Sequence, residues 1–264
     1  MNNVNKTMYI PLYGKAYVSK NNLFLKDARA EEIWNAEQFP LKRRAKSKWL
    51  AYYMGIRSAV FDEWTRKSIA ENNATVVLHL GCGMDSRALR VRNSDVIWYD
   101  IDFDQVIEER KRYYIEGEHY KMLACDVRDG EWLSKIDKAE RAVVIMEGVS
   151  MYLSLDEIRA LFALISEYFD DAALLMDCYT SLGARMSKIK NPVNEVGVRN
   201  LYGIDDPVAL ENDKIKYCME HEMTPQRYID ELQGREKKIF SGLYAGKMSK
   251  RLYRLYEFNF KKGL

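Results

Sequence analysis

Two glycines and three carboxylates, each placed where an apolar run stops, are the residues of this chain whose types and spacing could do chemistry. Gly81 and Gly83 interrupt Val76-Val77-Leu78-His79-Leu80-Gly81-Cys82-Gly83-Met84-Asp85-Ser86-Arg87. Asp102 ends Val96-Ile97-Trp98-Tyr99-Asp100-Ile101-Asp102, Asp126 follows Leu123-Ala124-Cys125, and Glu147 follows Val143-Val144-Ile145-Met146. A G-x-G turn lets a backbone bend and approach a ligand with no Cβ in the way. Asp102 stands 19 residues after Gly83, close to the ~20-residue spacing at which an acid accepts hydrogen bonds from a ribose. Asp100 shares its face but lies one pleat inside the strand, so Asp102 is the better placed. Ligands of open α/β sheets bind beyond the carboxyl ends of strands, and three successive strands ending in acid predict a nucleoside site.

A dinucleotide turn wants a third small residue in G-x-G-x-x-G/A, so that the helix N-terminus can hold pyrophosphate. Ser86 stands there, preceded by Asp85, whose charge at a helix start would repel pyrophosphate. No G-x-x-x-x-G-K-[ST] phosphate loop is present. A ligand with ribose and adenine but no phosphate fits better, and S-adenosylmethionine is one. An NAD-dependent oxidoreductase, or a protein that binds S-adenosylmethionine without turnover, are the alternatives.

These residues need a scaffold that ends several strands at one edge. Runs of strand length at 75–80, 96–101, 120–125, 141–147 and 172–178 alternate with helical patterns at 85–92, 104–117, 131–137 and 155–169, which predicts a doubly wound, mostly parallel α/β sheet. Asp104 is placed to cap 105–117, and Ser154 with Glu157 forms a capping-box pattern. Upstream, Trp49, Leu50, Tyr53, Ile56, Val60, Phe61 and Trp64 recur at helical spacing, so residues 1–73 read as an N-terminal helical cap. Residues 74–179 read as the nucleoside-binding core. Residues 180–235, with Gly183, Pro192, Gly197, Gly203, Pro207 and Pro225 among short helical pieces, read as a lid insertion. Strict alternation over 251–260 predicts a closing strand, paired with one near 236–241. A single domain is expected.

The 264 residues are 47% hydrophobic and 30% charged, with a net charge of +2. That balance fits a soluble globular protein and is too mild to imply nucleic acid or a membrane as partner. Cys82, Cys125, Cys178 and Cys218 lie 43, 53 and 40 residues apart with no C-x-x-C pair, which predicts neither a metal site nor a disulfide framework but a reducing, cytoplasmic setting. No run has the make-up of a signal peptide or membrane span.

Together, Gly81-Cys82-Gly83-Met84-Asp85-Ser86-Arg87, Trp98-Tyr99-Asp100-Ile101-Asp102-Phe103, Asp126-Val127-Arg128-Asp129 and Glu147-Gly148-Val149-Ser150-Met151-Tyr152-Leu153 resemble the leucine carboxyl methyltransferase family, particularly its bacterial polyketide O-methyltransferase-like branch. The resemblance spans roughly residues 8 to 215 and includes Lys15-Ala16, Arg57, Asp62 and Gly203-Ile204-Asp205-Asp206-Pro207. It implies a Rossmann-like, seven-stranded methyltransferase that uses S-adenosyl-L-methionine, releases S-adenosyl-L-homocysteine and needs no metal. Position by position, it implies that Gly81 and Gly83 pass under the methionine part and that Asp102, followed by Phe103, binds the ribose. Asp126 and the Val127 backbone would read the adenine, Glu147 and Gly148 would lie near the amino-acid end, and Lys15 and Arg57 would clamp the cofactor carboxylate. Where the family has proline after the acidic strand end, this chain has Asp104.

Methyl transfer from a sulfonium is an in-line displacement that an enzyme helps mainly by alignment. A carboxylate acceptor needs no general base at neutral pH, whereas a phenol or alcohol gains from one. No residue is assigned a catalytic role. Tyr152, just past Glu147, is the candidate for lining the pocket of a small-molecule acceptor, and His79, inside the first strand, reads as a satisfied core residue. Tyr179, Met186, Tyr202, Tyr217, Met219 and Met223 would suit an apolar or aromatic acceptor under the lid.

Overall fold

Strands buried on both faces read as unbroken apolar runs, and four of the five runs fold accordingly; the fifth, Tyr120–Ala124, forms the sheet edge and is only partly buried. The computed structural model describes residues 5–37, 39, 41, 45–137, 139–190 and 201–261. Strands β1 (Val76–Leu80), β2 (Ile97–Asp102), β3 (Tyr120–Ala124), β4 (Arg141–Met146) and β5 (Asp171–Tyr179) run parallel. They are joined by β6 (Ile215–Glu220) and β7 (Tyr253–Lys261), and β7 lies antiparallel to both β5 and β6. Among the described residues these form one seven-stranded sheet, in the order β3-β2-β1-β4-β5-β7-β6. The order reverses between β1 and β4, so a crevice opens where Gly81 and Glu147 leave the sheet.

The strands' period of two divides the core. Val77, Val143, Ile145 and Leu175 pack on one face with Ile56, Val60 and Phe61 of α3 (Lys48–Asn72). Leu78, Val144, Met146 and Leu174 pack on the other with Ile158 and Phe162 of α6 (Leu155–Tyr168), which begins at the expected Ser154–Glu157 capping box. The cap also contains α1 (Tyr9–Lys20) and α2 (Ala28–Ala36). Here α1 crosses α3 so closely that a Cβ on Gly55 would lie 2.7 Å from Val18 Cγ2. That approach brings Lys15 and Arg57 to the same end of the sheet.

Several boundaries differ from expectation. The helix read at 85–92 is the single-turn α4 (Arg87–Val91), α5 (Asp104–Arg110) stops well before 117, and 131–137 is a 3₁₀ turn at Glu131–Lys135. Asp104 does not cap α5: Phe103 holds the cap position without a side-chain bond, and Asp104 is the first helical residue, where its charge still suits the positive helix end. The α-helices after β5 are α7 (Ser181–Lys190), α8 (Gln226–Ile229), α9 (Gly234–Leu243) and α10 (Gly246–Leu252). The partner of β7 on its outer side is β6, inside the stretch read as a lid, and residues 236–241 lie in α9. Glu-Lys-Lys-Ile-Phe-Ser lacks a period of two; it turns once to bury Phe240 and sends Glu236 back to Lys48 and Tyr52 on α3. Pro192 and Gly197 lie outside the described residues. Among the described residues, no helix is long and apolar enough to cross a membrane.

Candidate cofactor and active site

Gly81 leaves β1 at φ +64°, and a Cβ there would lie 2.3 Å from Val149 Cγ2, in the loop after β4. Only glycine allows that turn beneath that loop. The chain then doubles back so that the Gly83 N–H donates to Asp102 Oδ2 at 2.8 Å, while Asp102 Oδ1 accepts from the Phe103 N–H at 2.7 Å. Burial pushes the Asp102 carboxyl up to about 6, against the pull of both N–H groups and Arg110. One pleat back, Asp100 is fully buried and satisfied by His79 Nδ1 at 3.0 Å, Trp98 Nε1 at 2.9 Å, the Tyr120 hydroxyl at 2.6 Å and Arg110. His79 is thus the core residue its position suggested, and Asp102 is the acid that lines the crevice.

Beside the glycine turn lies a buried ionic cluster. Lys15 Nζ meets Asp85 Oδ2 at 3.0 Å. Arg57 binds Glu147 Oε1 through Nε at 3.0 Å and through Nη2 at 3.0 Å, and Asp177 Oδ2 through Nη1 at 2.8 Å. Arg87 spans Asp62 at 2.7 Å, Asp85 at 3.3 Å and Glu147, and Arg90 spans Asp27, Asp62 and Asp85 at 2.6–2.8 Å. Burial alone would raise the Glu147 carboxyl, but Arg87 and Arg57 draw it down to about 2. Asp85 is likewise held well below its ordinary range by Arg87, Arg90 and Lys15, overcoming its burial.

Asp126 and Val127 follow β3 and line the same crevice. Arg128 Nε reaches both Asp126 oxygens at 2.9 and 3.0 Å and holds the carboxyl below its usual range. Met8, ahead of α1, roofs the glycine turn: a Cβ on Gly83 would lie 3.1 Å from Met8 Cβ.

All ten expected cofactor contacts, Lys15, Arg57, Gly81, Gly83, Asp102, Phe103, Asp126, Val127, Glu147 and Gly148, line one cavity of about 910 Å³. Past Glu147 the cavity becomes apolar and aromatic, with Trp49, Tyr53 and Met54 of α3, Tyr152, Tyr179, Met186 of α7, Tyr244, and Met248 of α10 around it. Of the six tyrosines and methionines expected under the lid, Tyr179 and Met186 line this cavity. Met223 is buried in the core, Tyr217 packs on Tyr256 and Phe258 of β7, and Tyr202 and Met219 are exposed. Burial pushes the Tyr152 phenol up to about 12, so it stays a protonated hydroxyl at neutral pH.

Asp177, Tyr253 and Arg90 were not expected at the site from the sequence, and Arg87 stood there only as the end of the Gly81–Arg87 run, with no role. Asp177 had a signal, a lone acid in the otherwise apolar Leu174-Leu175-Met176-Asp177-Cys178; Tyr253 had none, because its partners are 76 and 196 residues away.

Parallel strands with an antiparallel β7 beside β5, and a crevice at the β1/β4 switch point, define a Rossmann-like fold, which the family and relatives it matches make an S-adenosylmethionine-dependent methyltransferase. The chain belongs to the leucine carboxyl methyltransferase family, whose model matches residues 12–166, and this membership sets the NAD-dependent oxidoreductase alternative aside. It is 26% identical over 261 residues to the tetracenomycin polyketide synthesis O-methyltransferase TcmP of Streptomyces glaucescens, covering 97% of each chain. In fold it is similar to a DUF574 family protein from Streptomyces avermitilis, with a TM-score of 0.60 at 9% identity over 95% of this chain and 97% of that one. It is also similar to the magnesium protoporphyrin IX methyltransferase of Synechocystis, with a TM-score of 0.51 at 10% identity over 97% of each.

Proposed function

We propose that this protein transfers the methyl group of S-adenosylmethionine to a carboxylate or hydroxyl oxygen of a small, aromatic, polyketide-like acceptor. The observation that carries this reading is one cavity lined both by Lys15, Arg57, Asp85 and Glu147 and by Trp49, Tyr53, Tyr152, Tyr179 and Tyr244. The name of the Streptomyces relative, a polyketide O-methyltransferase, points the same way.

The residues fit the cofactor. Asp102 holds backbone N–H groups on both oxygens yet keeps lone pairs for a ribose, and Asp126 and the Val127 backbone stand where adenine would lie. Gly81 and Gly83 leave space for the methionine chain. Glu147, ionised far below neutral pH, would face the ammonium, while Lys15 and Arg57 would take the carboxylate, with Gly148 packed beside Arg57. When bound, the cofactor supplies an electrophilic methyl group on a sulfonium.

The chain's contribution is alignment and exclusion of water. The ionic cluster fixes one end of the cofactor, and the aromatic walls hold a flat acceptor with its oxygen toward the donor. Tyr152, protonated, would donate a hydrogen bond to the acceptor rather than remove a proton from it.

The test is methyl transfer from labelled S-adenosylmethionine to matched aromatic acceptors: 2-naphthoate, 2-naphthol and 2-naphthylamine. Label in the first or second supports the reading, and release by mild base separates ester from ether. Label in the amine alone, or in none despite cofactor binding, overturns it.

A further inference from the structure

The Asp177 carboxylate, third from the end of β5 and fully buried, is met by three donors from three parts of the chain. The Gly148 N–H donates to Oδ1 at 2.6 Å; Arg57 Nη1 and the Tyr253 hydroxyl donate to Oδ2 at 2.8 and 2.7 Å. Arg57 Nη1 also reaches the Tyr253 oxygen at 3.1 Å. The guanidinium is therefore held along two edges, Nη1 by Asp177 and Tyr253, Nε and Nη2 by Glu147. Nη2 and Nη1 also lie beside Gly148, where a Cβ would stand 3.6 and 3.8 Å from them, and Gly148 lines the cavity.

A guanidinium is a rigid fork whose use in recognition depends on its orientation, and a binding group 1 Å out of place loses much of its effect. Glu147 alone cannot set that orientation, because Arg57 could rotate to pair with it along either edge. A second carboxylate on the opposite edge removes that freedom. The same carboxylate fixes the Gly148 peptide, so one buried group sets two parts of the cavity wall.

We propose that Asp177 is a positioning residue for the amino-acid end of the cofactor: it locks Arg57 and the Gly148 N–H before the ligand arrives. The proposal rests on the reading that Arg57 binds the cofactor carboxylate. Asp177→Asn keeps the volume and the acceptor for Gly148 but sets an NH₂ group against Arg57 Nη1. Affinities for S-adenosylmethionine, S-adenosylhomocysteine and 5′-methylthioadenosine, which lacks the amino-acid portion, are then measured by titration calorimetry.

The expected result is a loss of about tenfold for both S-adenosyl ligands, about 1.4 kcal/mol, with 5′-methylthioadenosine unchanged. Equal loss for all three marks a merely structural role, loss for the sulfonium alone marks a general charge effect, and no loss shows that Arg57 needs no second anchor; each overturns the proposal. If Asp177→Asn does not fold, Tyr253→Phe keeps the charge and removes one anchor, and should weaken S-adenosylhomocysteine about threefold while leaving 5′-methylthioadenosine unchanged; equal affinities rule the anchor out. Arg57→Lys tests the underlying reading separately. Undiminished S-adenosylhomocysteine binding there defeats the clamp itself, whereas loss in Arg57→Lys but not in Asp177→Asn defeats only the positioning role.

Discussion

The Gly83 N–H donates a 2.8 Å hydrogen bond to Asp102, 19 residues further along the chain. The acid that ends β2 thereby shapes the turn that ends β1, and the turn places that acid at the crevice. Charge-assisted hydrogen bonds of this kind contribute about 1.5–3 kcal/mol each.

Asp102→Ala should therefore lower S-adenosylmethionine affinity by about 100-fold or more, roughly 3 kcal/mol, and also loosen the glycine turn. Calorimetric titration of the variant against wild type measures the first effect, and the melting temperature the second. Undiminished affinity would remove Asp102 from the ribose assignment.

Cofactor binding should weaken as the solution becomes acidic. The Asp102 carboxyl titrates near 6 when folded, above its ordinary 3.8, so the free protein gains a proton on it as pH falls through 6. The ionised form is the one that accepts two hydroxyl groups, so the apparent Kd should rise about tenfold per unit below pH 6 and stay flat above 7. The shift has the opposite sign for folding: ionisation above pH 6 works against the native state, and the penalty is absent below the ordinary value. Asp102→Asn should bind weakly with no slope between pH 5 and 7, and a wild-type profile that is flat there would defeat the assignment.

Gly81→Ala meets two penalties, a Cβ 2.3 Å from Val149 Cγ2 and a left-handed backbone. The expected loss is about 2–4 kcal/mol of stability, read from urea unfolding. Val149→Ala in the same chain should recover the steric part and leave roughly 1 kcal/mol from the backbone. Full recovery would show that φ carries no cost there.

Arg87→Met should be among the most damaging substitutions, because it strips a shared cation from Asp62, Asp85 and Glu147 at once. Breaking such a buried network costs about 3–5 kcal/mol. Acid should act in the same direction. Glu147 titrates near 2 against an ordinary 4.5, so its stabilising share is complete above 4.5 and lost as pH falls toward 2. Chemical unfolding at pH 7 and pH 3 should show the wild type losing stability and Arg87→Met losing less. Equal losses would mean that Glu147 draws its support elsewhere.

How far the residues disclosed this arrangement depended on whether a contact was local. Strands β1, β2, β4 and β5 are buried along most of their length, so the acids that end β2 and follow β4 stand out against them, while β3, at the sheet edge, is only partly covered. Arg57 was legible through the family resemblance, and its place among Tyr53, Ile56 and Val60 on a buried helix face agrees with it. Its true partners were not, since Glu147 and Asp177 lie 90 and 120 residues away. Helix α9 was misread as a strand because the decisive contacts, Glu236 with Lys48 and Tyr52, join distant segments. The role of β6 was hidden by a bulge between Tyr217 and Met219 that breaks its alternation.

Tyr253 lies on β7, and it is made 196 residues after the Arg57 it supports. On a ribosome adding about 5–20 residues each second, α3 would wait roughly 10–40 s before its charge found the full set of partners. A nascent chain that has emerged through β5 carries the turn and the acids of the nucleoside half but not the finished clamp. Cofactor capture should therefore follow the docking of β7, and the bound nucleoside ligand be a late seal on the native state rather than a template for it.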